Sequence, residues 1–235
     1  MPLFSRRVPY DRKCILKRGE ILARGWRWRR GLALYRQILA AEPLNADLHI
    51  RVAPLLARSG RLLEAWESYQ IATDAMSQAG DAASAYALQQ EAVRALPENV
   101  EACRALARAE RVRQRPRDAM RVLLAGSKRL TRGGRRGGAI VLLRDARELD
   151  AWRPAVVVRL CRLLARDGQS AEALFLLDHL DQKVSGKTLC SVRRLTWRIE
   201  PSLRHSWRWM RAAWDARGQT SESADQLSPA TPSRS

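Results

Sequence analysis

Apolar residues recur along most of the chain at intervals of three and four, with small residues held in fixed columns among them. Val52, Leu55 and Leu56 share one helical face, and the run stops at Ser59-Gly60, where glycine can take the left-handed conformation that closes a helix. Shifting the sequence by 54 places superposes Gly31, Ala85 and Ala139, and likewise Ala65, Ala119 and Ala173. Leu34, Leu88 and Leu142 fall in another column, as do Val52, Leu106 and Leu160, and Tyr69, Leu123 and Leu177. Pro43 and Pro97 share a column, and LLARSG at 55–60 returns as LLARDG at 163–168. Small residues at these positions let helix backbones approach closely, while Tyr35, Tyr69 or Leu123 fill the neighbouring groove. Asn45 and Asn99, each two residues after a proline, are suited to cap the helices that follow.

The pattern predicts about twelve helices, near 12–24, 28–41, 46–58, 62–79, 82–95, 98–113, 116–132, 136–149, 154–166, 170–182, 186–199 and 202–216. A repeat of 54 residues is long enough for three of them. The middle helix of each unit would then be shared by neighbouring pairs.

The segment 46–79 resembles a tetratricopeptide repeat: Val52-Ala53, Leu56, Gly60, Ala65, Tyr69 and Ala72 follow that family's order of large, small, large, turn glycine, small, aromatic, small. The resemblance spans roughly residues 12–182 and implies an all-α, right-handed α-solenoid of antiparallel helix pairs. His49 departs from it by standing where a large apolar residue is usual, and Gln114 by replacing the turn glycine. The expected organisation is a basic extension at 1–11, the solenoid at 12–182, capping helices at 183–217 and a disordered, Pro/Ser/Thr-rich tail at 218–235. Leu203, Trp207, Met210 and Trp214 follow helical spacing and are expected to cover the last apolar face of the array.

Charge changes the picture more than the rest of the composition does. The chain carries a net charge of +19, and its tail contributes −1, so the excess belongs to the part expected to fold. Arginine outnumbers lysine 38 to 5, a skew that selected anion binding and the codon usage of a GC-rich genome would both produce. No stretch has the length and apolarity of a membrane span or a signal core, which gives a cytoplasmic expectation. The four cysteines are widely spaced without a C-x-x-C, so neither a zinc site nor a disulfide framework is expected, and no cofactor is implied.

Candidate chemistry is sparse. Ser185-Gly186-Lys187-Thr188 imitates the end of a phosphate-binding loop, but Asp181 stands where the earlier glycine belongs and the residues before it read as helix, so an interhelical turn is expected. Gly133-Gly134-Arg135-Arg136-Gly137-Gly138 reads as a linker at a repeat turn in preference to a binding loop. His49, His179 and His205 lack a nucleophile in any interpretable pattern and read as surface or groove residues, whereas Cys103 and Cys161 occupy packing positions. Trp26 and Trp28 stand among arginines, as do Trp207 and Trp209; the plainer reading packs one tryptophan of each pair inward, and Trp209 is the one that the apolar face leaves out. No constellation supports an enzyme.

The resemblance further implies that the first helix of each pair lines a concave, ligand-contacting surface. Carrying its register over places Arg51 and Arg58, then Arg104, Arg108 and Arg111, then Arg159, Arg162 and Arg166 there, with Lys128 and Arg132 joining from the intervening helix. Independently of any family, Arg104, Arg108 and Arg111 stand at i, i+4 and i+7 and share a helix face. The expectation is a non-enzymatic adaptor whose basic groove binds an acidic or extended protein segment. Binding to a nucleic-acid backbone is the first alternative; peripheral attachment to a membrane is the second and least expected. The oligomeric state is open.

Overall fold

The computed structural model describes residues 11–225. Its elements are α1 (Arg12–Arg24), α2 (Trp28–Ala41), α3 (Ala46–Arg58), α4 (Leu62–Gln78), α5 (Ala82–Ala95), α6 (Val100–Val112), α7 (Pro116–Arg132), α8 (Arg136–Leu149), α9 (Pro154–Arg166), α10 (Ser170–Asp181), α11 (Gly186–Ile199) and α12 (Leu203–Asp225), with no strand among the described residues.

Local chemistry sets these boundaries. Asn45 Oδ1 accepts from the Leu48 amide at 3.2 Å and Asn99 Oδ1 from the Ala102 amide at 2.9 Å, so both asparagines cap the helices that follow them. Five helices stop by the same device, in which a left-handed residue lets the next amide donate back to a carbonyl of the last turn. These residues are Gly60, Gly80, Gln114, Gly134 and Gly168, with φ of 81°, 79°, 59°, 76° and 83°. The closing bonds run from Arg61 to Leu56, Asp81 to Met76, Arg115 to Glu110, Arg135 to Leu130 and Gln169 to Leu164, at 2.9–3.0 Å. Gln114 adopts this conformation without being glycine.

The chain divides into two compact units after Ala109, within α6. In the first unit α1 packs on α2 and α3 on α4, while α5 lies against α4 and reaches α3. In the second, α7 packs on α8, α9 on α10 and α11 on α12, and α11 also reaches α9. The structural repeat is therefore a pair of helices, with pairs beginning at residues 12, 46, 82, 116, 154 and 186, about 34 apart. The 54-residue repeat spans one and a half pairs and alternately superposes first helices on second ones. It persists because its columns record close helix contacts of both kinds: Ala65, Ala119, Ala139 and Ala173 all have 0% exposure.

Three expectations need correction. His49 does not lie at the surface: it is buried, and its Nε2 lies 2.8 Å from the Pro43 carbonyl, so the imidazole fills a large-residue column while its N–H donates locally. The backbone of α12 is helical to Asp225, although residues 218–225 were expected to be unfolded; Gly218 weakens a helix but does not stop one, and the first proline comes at 229. Leu203, Trp207, Met210 and Trp214 do not cover the array, because α12 packs through its opposite side. The basic extension other than Asp11, together with residues 226–235 of the tail, lies outside the described residues.

Left-handed backbone costs a residue with a side chain about 1 kcal/mol or more, and glycine escapes that cost at the expense of unfolded-state entropy. Gln114→Gly is expected to raise stability by about 0.5–1 kcal/mol, read as a higher urea midpoint at an unchanged slope.

Candidate functional site

The second unit brings half of the expected cations together. Lys128 and Arg132 from α7 line a cleft of about 270 Å³ with Arg159, Arg162 and Arg166 from α9; Thr131 and Leu163 complete the walls. Spacing explains the convergence. Positions 128 and 132 are one turn apart on α7, and 159, 162 and 166 lie on one face of α9, so each helix presents a row. The inward sides of these helices are fixed by Ser127 and Leu130 on α7 and by Leu160, Cys161 and Leu164 on α9, all buried. Thr131 donates its hydroxyl to the Ser127 carbonyl at 2.7 Å and leaves the cleft to the cations. Arg136 donates to the Arg166 carbonyl at 3.3 Å and adds another cation at the end of α9.

Among the described residues, none of the five cleft cations has a carboxylate within ion-pairing distance. This is unusual for the chain, whose acids elsewhere tie helices together. Arg12 pairs with Glu42 at 2.6 Å, Arg144 with Glu172 at 2.7 Å, and Asp181 receives both Arg193 at 2.9 Å and Arg208 at 2.7 Å. Like charges held on adjacent turns oppose one another by a few tenths of a kcal/mol per pair. Lys128, Arg132, Arg162 and Arg166 are exposed and Arg159 is half-buried, so solvent screens most of this repulsion.

The other expected residues are placed differently. Arg51 is paired with Glu20 of α1, and the Arg58 guanidinium stacks over the Trp28 ring at 5.0 Å. Arg104 meets Glu101 of its own helix at 3.2 Å, while Arg108 and Arg111 are exposed on α6. Arg104, Arg108 and Arg111 lie on α6, whereas the cleft cations come from α7 and α9.

A larger cavity, about 430 Å³, lies among α10, α11 and α12, and its lining includes Phe175, Asp181, Arg193, His205 and Arg208. The two arginines there are held by Asp181, whose side chain is 10% exposed. Their role is structural: Asp181 of α10 ties Arg193 of α11 to Arg208 of α12, and the same two helices stack Trp197 on Trp209 with ring centroids 5.5 Å apart. Sequence reasoning did not find this clamp, since Asp181 is separated from its partners by 12 and 27 positions.

The remaining motifs are turns. Ser185 precedes α11, Gly186 has φ of 57°, and the preceding element is helix α10, so this segment has no strand-to-helix phosphate loop. Residues 133–135 form the turn between α7 and α8. No group of three His, Cys, Asp or Glu that could hold a metal occurs among the described residues. None of the described helices is long and apolar enough to cross a membrane.

No protein-family model and no curated protein matches the chain. Similar solved structures include MamA, at 16% identity over 64% of this chain and 96% of that one, with a TM-score of 0.37. A tetratricopeptide repeat protein from Parabacteroides merdae is 14% identical over 88% and 92%, with a TM-score of 0.34. Pseudomonas aeruginosa pilF is 12% identical over 88% and 90%, with a TM-score of 0.33. At these values the likeness carries no argument about function, and the site stands on its own geometry.

Cys103 and Cys161 have 0% exposure. Burial pushes the Cys161 thiol up to about 12, with Glu172 adding to the shift and Arg147 opposing it. Burial likewise raises the Tyr69 phenol, reinforced by Glu91, to which its hydroxyl donates at 3.1 Å. The unfolded chain ionises these groups near 8.5 and 10, so the stability they contribute is complete below about pH 8.5 and is lost as pH climbs toward 12. The urea midpoint is expected to be lower at about pH 10 than at about pH 8.

Proposed function

We propose that this protein is a non-enzymatic scaffold whose second unit holds an acidic, extended protein segment in the α7/α9 cleft. The observation that carries this reading is the convergence of Lys128, Arg132, Arg159, Arg162 and Arg166 with no carboxylate partner among the described residues. From Arg159 to Arg166 the row runs about 10 Å along the helix axis, which matches roughly three residues of extended peptide. Leu163 and Thr131 complete the wall between the charges. A nucleic-acid strand would be favoured by aromatic platforms for its bases, and none lines this cleft. Arg108 and Arg111, exposed on α6, add to the field that steers an acidic partner toward the chain. Arg51, Arg58 and Arg104 are engaged within the chain and contribute less. Four free thiols suit a reducing, cytoplasmic setting.

Titration of a fluorescent, glutamate-rich peptide tests the cleft. Arg159→Glu/Arg162→Glu/Arg166→Glu is expected to weaken peptide binding by at least about tenfold, with helicity unchanged, because each reversal turns an attraction into a repulsion. Equal binding by the variant would remove the cleft from the proposal. Tight, steeply salt-dependent binding of single-stranded RNA with no response to the peptide would replace the protein segment by a nucleic acid.

A further inference from the structure

The helix α12 is fixed by one side and bare on the other. Its inward side carries Ala212, 3% exposed, Trp209 stacked on Trp197, and Arg208 bound to Asp181. Its outward side carries Leu203, Trp207, Met210 and Trp214, which are 91%, 66%, 51% and 78% exposed. Single exposed apolar residues are ordinary, but four on one helix ridge, two of them tryptophan, make a patch that marks an interaction surface.

The character of the ridge selects its occupant. Exposures this high leave no flanking wall to grip a partner's side chains, which suits a deformable medium better than a second folded surface. Arg204 and Arg211 are exposed about a quarter turn from the row. Residues 183–215 as a whole carry eight Lys and Arg against Glu200 and Asp215. Two copies meeting through this ridge would bring like charges together, whereas an anionic bilayer meets them with opposite charge. Tryptophan favours the lipid–water interface, and arginine stems lie along apolar surface while their heads reach phosphate.

We propose that α12 is an interfacial helix that docks the second unit on an anionic lipid surface, with Leu203, Trp207, Met210 and Trp214 in the headgroup boundary and Arg204 and Arg211 on lipid phosphates. The helix lies in the plane of the interface and does not span it.

Sedimentation of the full chain with vesicles tests this. Phosphatidylcholine vesicles containing about one third phosphatidylserine are expected to pellet the protein at roughly 0.1 M salt, and pure phosphatidylcholine vesicles much less. Trp207→Ser/Trp214→Ser is expected to reduce pelleting at least about tenfold without lowering the melting temperature, since both rings are exposed. Arg204→Gln/Arg211→Gln should lose the preference for anionic vesicles. The Arg159→Glu/Arg162→Glu/Arg166→Glu variant should still pellet, which separates this surface from the cleft. Failure of the wild-type chain to pellet would overturn the proposal, as would pelleting indifferent to Trp207→Ser/Trp214→Ser. A solution dimer that the tryptophan variant makes monomeric would assign the ridge to a second copy instead.

Discussion

Close approach of helix backbones at small residues is the constraint on which the rest of this protein depends. A Cβ added to Gly31 would stand 2.8 Å from the Ala23 nitrogen of the neighbouring helix, and one added to Gly19 would stand 2.9 Å from the Tyr35 ring. Ala65, Ala119, Ala139 and Ala173 are fully buried at corresponding points farther along. With the axes held this near, Tyr35, Tyr69, Leu123 and Leu177 fill the grooves beside them, and a larger residue in a small column would drive the pair apart. The side-chain rows that face away from these contacts are set by the same register. The cations of α7 and α9 can therefore line one cleft without any loop to arrange them.

The distribution of acids shapes the surface as much as the number of bases does. Glu20, Glu42, Glu64, Asp181 and Glu172 each reach across to an arginine on another helix. The exposed ones, all but the Asp181 pair, contribute under about 1 kcal/mol each, so they bias the register of helices already held by packing. With only 24 acidic residues against 43 basic ones, many cations are left over. Where the leftovers converge, as at α7/α9, the electrostatic repulsion is the part of the fold that a ligand can relieve. Codon usage would explain the abundance of arginine but not this segregation from carboxylates.

Helix α12 turns Trp209 and Ala212 inward, where the Asp181 clamp and the Trp197 ring hold it, and leaves its richest apolar ridge outside. Packing on its neighbours therefore goes through the less apolar side of this helix.

Helix positions were legible in the amino-acid order because their causes are local: apolar spacing, asparagine caps and left-handed turn residues act within a few positions of one another. Fourteen of the fifteen residues in the five three-membered columns are buried for the same reason, among them Ala65, Ala119, Leu160 and Ala173, and Leu34 is half-buried. Even Gln114 was marked by its column before its φ of 59° confirmed the turn. The pairing of helices was not legible, since a 54-residue shift preserves contact chemistry while exchanging first and second helices. Nor was the partnership of individual arginines: Arg51 and Arg162 look alike in the sequence, and only the fold sets Glu20 beside one and open solvent beside the other. For α12 the hydrophobic spacing was correct and its direction was wrong, because periodicity defines a face but only the neighbouring helices decide which face they cover.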